Sequence, residues 1–395
     1  MKKTKLPNMF LIIGKNDKCN FYRDIIFSQE YLSKNFNVTI IIPSKQCWEF
    51  GYEPDDARLL SQNDSNNRKF IYMEDEEEII REVKEKEIDI VIFSQNIRWK
   101  NLIRSVKAIG VKTVSYSSFS GLDHHPYGED LCIFSSEYEY LINMNKFRYR
   151  RHISTTNCRI IGGISEIGEK PDLMSDGEFR EKYSLRSSDK IVAFFPKNLD
   201  VLAARAPSWF RFKFRSKSFV EKYLKKIDSL YQESINELKD LGFVVLEIMH
   251  PSSKDLSNRY DTVIIQRNDK AALINSCIFG FSVTSNVTKD LIRKDKPMLY
   301  VGSRDLPSPN FLQFLSKAVP EEFLRKDLNG KILNKYTPAW VGEYANKPEG
   351  LKRIILQLIE NKYDYTSYKK FYWANTCTRA VAKSISEVVY KEFFS

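Results

Sequence analysis

Along this chain, short runs of β-branched and aromatic residues alternate with longer stretches in which apolar residues return every third or fourth position. In the first half the runs are Met9 to Ile13, Val38 to Ile42, Ile88 to Phe93, Thr113 to Tyr116, Leu131 to Phe134 and Cys158 to Ile161. Each has the length of a strand and stops at a polar, Gly or Pro position. Helical spacing fills the gaps, over Arg23 to Lys34, Glu74 to Lys86, Trp99 to Ile109 and a segment closing at Asn145. The acidic run Glu74 to Glu78 opens one of these helices, where the dipole favours negative charge.

The second half repeats the pattern. Its runs are Lys190 to Phe195, Phe243 to Met249, Thr262 to Gln266, Ile278 to Val283 and Met298 to Val301. Helices are predicted over Phe219 to Leu241, with Gly242 as its cap, and over Asp269 to Asn275 and Val287 to Arg293. Strands alternating with helices predict the α/β class, with parallel sheets that bind ligands outside the carboxyl ends of their strands.

Two such series in 395 residues predict two Rossmann-like domains, each long enough for its own core. The expected division is a first domain over 1–164, a linker over 165–189 with a small helix from Gly177 to Tyr183, and a second domain over 190–365. A last helix over 366–395, from about Ser367 to Phe394, then crosses back to the first domain on a stripe of Tyr368, Phe371, Trp373, Val381, Ile385, Val388 and Val389. Pro348 to Asn361 reads as another amphipathic helix, and the polar stretch Glu53 to Lys69 as a mobile excursion.

Composition narrows the classes. The chain is 42% hydrophobic and 29% charged, and no apolar run approaches the ~20 residues of a membrane span. The apolar run after Met1-Lys2-Lys3-Thr4-Lys5 is shorter than the ~7 residues of a minimal signal-peptide core, so the expected location is the cytoplasm. Six cysteines without a C-x-x-C pair, and four histidines without ligand spacing, predict reduced thiols and no structural metal. A net charge of +11 and a pI near 9.1 suit nucleic acid, an anionic membrane face or a phosphorylated substrate. The loop Gly14-Lys15-Asn16-Asp17-Lys18 has one glycine, which excludes the three-glycine dinucleotide fingerprint.

Polar side chains gather where strands end. Pro196-Lys197, His250-Pro251-Ser252-Ser253 and Thr284-Ser285-Asn286 each follow a predicted strand. Hydroxyls and amides ahead of a helix N-terminus offer N–H donors and a favourable dipole to a diphosphate. The stretches FVVLEIMHP, DTVII and SVTSNVTKDLIRKDKPMLYV resemble the C-terminal half of the GT-B glycosyltransferases, in particular the branch of CDP-glycerol glycerophosphotransferases and capsule or teichoic-acid polymer transferases. That branch carries a His-Pro, a Ser-Ser pair, an acidic residue four positions on and a Lys-Pro. The matching positions are His250-Pro251, Ser285-Asn286, Asp290 and Lys296-Pro297. Asn286 stands in place of the second Ser, and Lys294-Asp295 in place of a small residue and Gly.

The resemblance implies two Rossmann-like domains facing across a cleft. It implies that Lys197, His250, Ser285, Asn286 and Asp290 bind a nucleotide-activated donor, and the strand-end positions of Ser252, Ser253 and Thr284 add them to that site; helix ends and basic residues can offset the diphosphate's charge, so no cofactor and no metal is required. Where related transferases have Gln-His-Gly, this chain has Ser118-Phe119-Ser120, followed by Asp123, His124 and His125. A histidine beside a carboxylate can take a proton from an acceptor hydroxyl, so these three are the candidate base; the alternative is that they cap a loop. Lys15 and Asp17 are candidate acceptor contacts or solvated loop charges, and Ser135-Ser136-Glu137 resembles a serine-plus-acidic segment bordering the cleft.

Arg205, Arg211, Lys213, Arg215 and Lys217 surround Trp209, Phe210, Phe212 and Phe214. Such a segment can stack bases, dock on acidic lipid headgroups, close over a phosphorylated donor or charged polysaccharide, or simply pack. With a nucleotide site next door, Arg205, Trp209 and Arg211 are read as acceptor or membrane contacts rather than as a nucleic-acid groove. The expected activity is transfer of a sugar from a nucleotide-activated donor to a surface-polysaccharide or lipid-linked acceptor, in the cytoplasm or at the inner face of the membrane. The alternatives are a polyol-phosphate transferase of the CDP-glycerol type, a UDP-sugar 2-epimerase, and a non-catalytic membrane or nucleic-acid binder on a degenerate scaffold.

Overall fold

The computed structural model describes residues 5–14, 18–47, 52–62, 69–94, 99–117, 126–145, 156–164, 174–196, 217–248, 260–266, 269–282, 290–291, 294–300, 325–326, 332–334, 351–360 and 378–395. The chain divides into two compact units, Met1–Glu169 with Lys369–Ser395, and Lys170–Tyr368.

The first unit runs β1 (Asn8–Ile12), α1 (Lys18–Glu30), β2 (Asn37–Pro43), α2 (Pro54–Gln62), β3 (Lys69–Met73), α3 (Glu76–Glu85), β4 (Ile90–Ser94), α4 (Lys100–Ala108), β5 (Lys112–Tyr116), β6 (Leu131–Phe134), α5 (Glu137–Asn145) and β7 (Asn157–Ile160). Its sheet has the order β3-β2-β1-β4-β5-β6-β7. Every pairing in it is parallel. Successive side chains in β1 alternate between two apolar cores, as strand geometry requires. Met9 and Leu11 join Ile40, Ile42, Ile90, Ile92, Val114 and Tyr116 on one face. Phe10 and Ile12 join Ile79, Val83, Leu102, Ile103 and Val106 from α3 and α4 on the other. With both faces covered, the strands read as continuous apolar runs.

The second unit runs α6 (Asp176–Lys182), β8 (Lys190–Phe194), α7 (Lys217–Asp240), β9 (Phe243–Ile248), β10 (Val263–Ile265), α8 (Lys270–Ser276), β11 (Phe279–Ser282), β12 (Met298–Tyr300), β13 (Arg325–Lys326), β14 (Ile332–Asn334) and α9 (Leu351–Glu360). Its main sheet has the order β10-β9-β8-β11-β12, and a separate ladder joins β13 to β14. The five strands are parallel throughout. In each unit the chain starts at an inner strand, builds outward to one side, then returns to build the other, which is the doubly wound order.

The chain closes with α10 (Thr378–Phe394), a helix of the first unit. Val381, Ala382, Ile385 and Val389 are buried in the same core as Met9 and Leu11. Tyr390 and Phe394 meet the Phe36 ring edge-on at 5.8 and 5.9 Å. Polar contacts hold the middle and the last turn of the helix: Asn35 Nδ2 donates to Ser386 Oγ at 3.0 Å, and Asn157 and Arg159 of β7 bond Glu392.

One sequence expectation is corrected here. The stretch from Glu53 to Lys69, read as a mobile excursion, contains α2 and leads into the edge strand β3. Pro54 sits in the first turn, where its missing N–H costs nothing, and Asp55 and Asp56 favour the same helix end. Lys69 to Met73 pairs with Thr39 to Pro43, and Tyr72 Oη donates to Tyr52 O at 3.0 Å. Polar composition concealed α2, because an exposed helix needs few apolar positions, whereas β3 carries the apolar run Phe70 to Met73 just beyond the polar stretch.

Candidate functional site

In the second unit the strand order reverses between β8 and β11, and a crevice at such a switch point is where doubly wound sheets bind ligands. The two strands are joined there at their carboxyl ends. Phe195 N donates to Phe281 O at 3.1 Å. The buried Ser282 Oγ donates to Phe195 O at 2.6 Å. Below this clasp the Phe194 and Phe281 rings stack at 4.4 Å, with Tyr231 of α7 edge-on to Phe194 at 4.8 Å and Tyr260 at 5.4 Å. A fully packed aromatic floor fixes the two strand ends relative to each other. In sequence, Lys197 follows β8 by three residues and Thr284 follows Ser282 by two.

On the other side of β8, β9 ends at Ile248, paired with Ile265 of β10, and His250 follows two residues later. Glu247, one residue from the strand end, is buried and accepts a hydrogen bond from Thr262 Oγ1 at 2.6 Å. Burial pushes its carboxyl above the ordinary range, and the Thr262 bond opposes this. Between β10 and α8, Asp269 is buried and takes hydrogen bonds from Lys182 Nζ at 2.6 Å and from Tyr183 Oη. Burial alone would raise its pKa; the Lys182 and Tyr183 bonds prevail and hold it below the usual carboxylate range. Tyr183 itself is pushed up to about 12, by burial and then by the Asp269 carboxylate.

Among the candidate donor contacts, Asp290 is described. Its carboxylate accepts from Lys270 Nζ, at the start of α8, at 2.9 Å, and both side chains are about one-third exposed. The turn after it is informative. Asp295 takes φ +56, the left-handed region that glycine occupies freely. Lys15, Asp17, Asp123, His124, His125, Lys197, Arg205, Trp209, Arg211, His250, Ser252, Ser253, Thr284, Ser285 and Asn286 lie outside the described residues.

The first unit has a comparable construction at the carboxyl ends of β5 and β6. Glu139 of α5 is buried and binds both ends at once. It accepts from Ser117 Oγ at 2.9 Å, from Ser135 N at 2.8 Å and from Ser135 Oγ at 2.8 Å. Ser136 Oγ in turn accepts from Glu139 N at 3.1 Å, capping the helix. Tyr116 Oη, at the end of β5, donates to the buried Asp24 of α1 at 2.8 Å. The loop that carries Asp123, His124 and His125 therefore departs from a strand end pinned to two helices. Sequence reading singled out the exposed Glu137 of Ser135-Ser136-Glu137; the carboxylate that ties the strands is Glu139. Its position three residues beyond Ser136, the capping distance, was the available signal.

No protein-family model matches the chain, and no curated protein is significantly similar to it. Solved structures do match over nearly its whole length. A glycosyltransferase from Rickettsia africae superposes with a TM-score of 0.56 at 12% identity, covering 98% of this chain and 99% of its own. A UDP-GlcNAc 2-epimerase from Neisseria meningitidis, bound to UDP-GlcNAc, gives 0.54 at 11% identity, covering 97% and 100%. MurG from Acinetobacter baumannii gives 0.51 at 8% identity, covering 98% and 100%. At such identities the likeness is one of fold. The chain has an α/β fold of two parallel-sheet units, like the GT-B enzymes among these structures.

Proposed function

We propose that the protein is a glycosyltransferase that uses a nucleotide-activated sugar and holds its diphosphate at the carboxyl edge of the second sheet. The observation that carries this reading is the switch point between β8 and β11, clasped by Ser282 and Phe195 and followed in sequence by Lys197 on one side and Thr284-Ser285-Asn286 on the other. Those side chains, with His250, Ser252 and Ser253, provide the donors that a departing diphosphate needs, and Asp290 the acceptor for a ribose hydroxyl. An acceptor hydroxyl attacks the anomeric carbon, one of Asp123, His124 and His125 takes its proton, and the bond to the diphosphate breaks. Basic residues and backbone donors offset the leaving charge, so this reading requires no metal. A surface polysaccharide or a lipid-linked glycan is the acceptor class, with Lys15, Asp17, Arg205, Trp209 and Arg211 as its contacts or as contacts to an anionic membrane face. Within this reading, the resemblance to the CDP-glycerol group makes a polyol phosphate the first variant to examine.

A second reading is favoured by a specific observation, the fold likeness to a UDP-GlcNAc 2-epimerase bound to its substrate. A panel of CDP-, UDP-, GDP- and CMP-activated donors separates the readings. Thermal stabilisation by one nucleotide series is expected, since a ligand at 100 times its Kd adds about 2.7 kcal/mol. Proton NMR of the stabilising donor then shows either loss of the sugar on adding acceptor glycans, which supports transfer, or inversion at C2 without acceptor, which supports the epimerase. Stabilisation by none of the donors overturns both.

A further inference from the structure

At the opposite edge of the first sheet, the amino ends of β1, β2 and β3 and the last turn of α1 surround a hollow of about 820 Å³. Lys5 and Lys69 stand on the strand side, exposed, and no acidic residue is part of the lining. Ser28, Gln29 and Ser33 stand on the α1 side, with Phe36 among the apolar residues of the floor. The volume is that of an oligosaccharide or drug-sized ligand.

The two sides ask for different chemistry. The carboxyl end of α1 carries negative partial charge and carbonyls that accept hydrogen bonds, which suits hydroxyl donors and repels an anion. Ser33 Oγ already donates back to Gln29 O there. Gln29, which lines the hollow, has a buried Nε2 with no hydrogen-bond partner among the described residues. The strand side, with two lysines, suits a carboxylate or phosphate. Apolar floor between the two suits the ring faces of a sugar.

We propose that this hollow binds an anionic oligosaccharide, with its acidic groups on Lys5 and Lys69 and its hydroxyls on the carboxyl end of α1. The site lies at the amino ends of the first sheet's strands, whereas the candidate base follows the carboxyl end of β5 in that sheet, so its function is to hold a glycan, and binding is testable whatever reaction the protein performs.

The test uses the full chain and calorimetric titration with tetragalacturonate, a carboxylated tetrasaccharide, beside the neutral maltotetraose and inorganic phosphate. Saturable binding of tetragalacturonate is expected, tighter than that of either control. The variant Lys5→Glu/Lys69→Glu should weaken it by roughly tenfold or more, as loss of two charge-assisted contacts implies. A second double variant, Lys352→Glu/Arg353→Glu, alters net charge equally on exposed residues of α9 and should leave binding unchanged. Both variants are checked for an unaltered melting temperature. Equal losses in the two variants would show general attraction of a polyanion to a basic protein and overturn the site, as would absence of saturable binding.

Discussion

Two buried carboxylates near the carboxyl edge of the second sheet respond to pH in opposite directions. Glu247 is raised by burial, so between its ordinary pKa of about 4.3 and its raised folded value the native state binds the extra proton. Stability therefore falls as pH rises through that window. Asp269 is lowered through Lys182 and Tyr183, so its stabilisation is present above the ordinary value and is lost as pH falls through the folded one. Glu247→Gln, which keeps an acceptor for Thr262, should raise the melting temperature at pH 7.5 with the gain vanishing towards pH 4. Asp269→Asn should lower it at pH 7.5, through a loss of about 2 kcal/mol of stability as for a buried hydrogen-bonded charge, and matter less in acid. Parallel thermal melts across pH check both; a shared sign would contradict the assigned environments. Neither residue was legible in the sequence as a buried group, because an isolated Glu in a strand or an Asp before a helix usually faces water.

At the scale of the elements, the helix C-termini store avoidable strain. Glu87, immediately after the cap of α3, takes φ +48, and Ser184 after α6 takes φ +54. A residue with a Cβ pays for that conformation where glycine does not. Glu87 is exposed and its backbone N–H bonds Lys84 O, which a glycine preserves. Glu87→Gly relieves a left-handed penalty of roughly 1–2 kcal/mol against an entropic cost of roughly 0.5–1 kcal/mol, so a net stabilisation of about 0.5–1 kcal/mol is expected, measured as a higher urea midpoint at unchanged slope. The start of the same helix is well made: Asp75 accepts from Glu78 N, while Glu78 accepts from Glu74 N, both at 2.7 Å. Strands were read to within two residues at nearly every end, because buried parallel strands must be apolar throughout. An element that buries little, such as α2, left no such trace.

For the molecule as a whole, the terminal helix ties the end of the chain to its beginning. Ile385 is fully buried with Met9 and Leu11 in one core. Ile385→Ala should destabilise the first unit by about 2–5 kcal/mol. Because the second unit has its own core around Ile191, Leu246 and Leu273, its unfolding transition should keep its midpoint. Urea unfolding followed by hydrogen exchange resolves the two units; an equal shift of both transitions would show that they unfold as one. The parallel sheets were legible in the strand and helix alternation, while their strand orders were set by the structure. The ties from Ser282 to Phe195 and from Glu139 to Ser117 join residues distant in sequence and become visible only when the strands are laid side by side, whereas the tie from Glu139 to Ser135 spans four residues.

The central claim is that the carboxyl edge of the second sheet holds a nucleotide diphosphate. Its most direct measurement is calorimetric titration of the stabilising nucleotide diphosphate into the full chain and into His250→Ala and Lys197→Ala variants whose melting temperatures match the parent. One saturable site is predicted, weakened at least tenfold by each substitution, as loss of one charge-assisted contact worth about 1.5–3 kcal/mol implies. Unchanged affinity in both variants would place the nucleotide elsewhere and contradict the account.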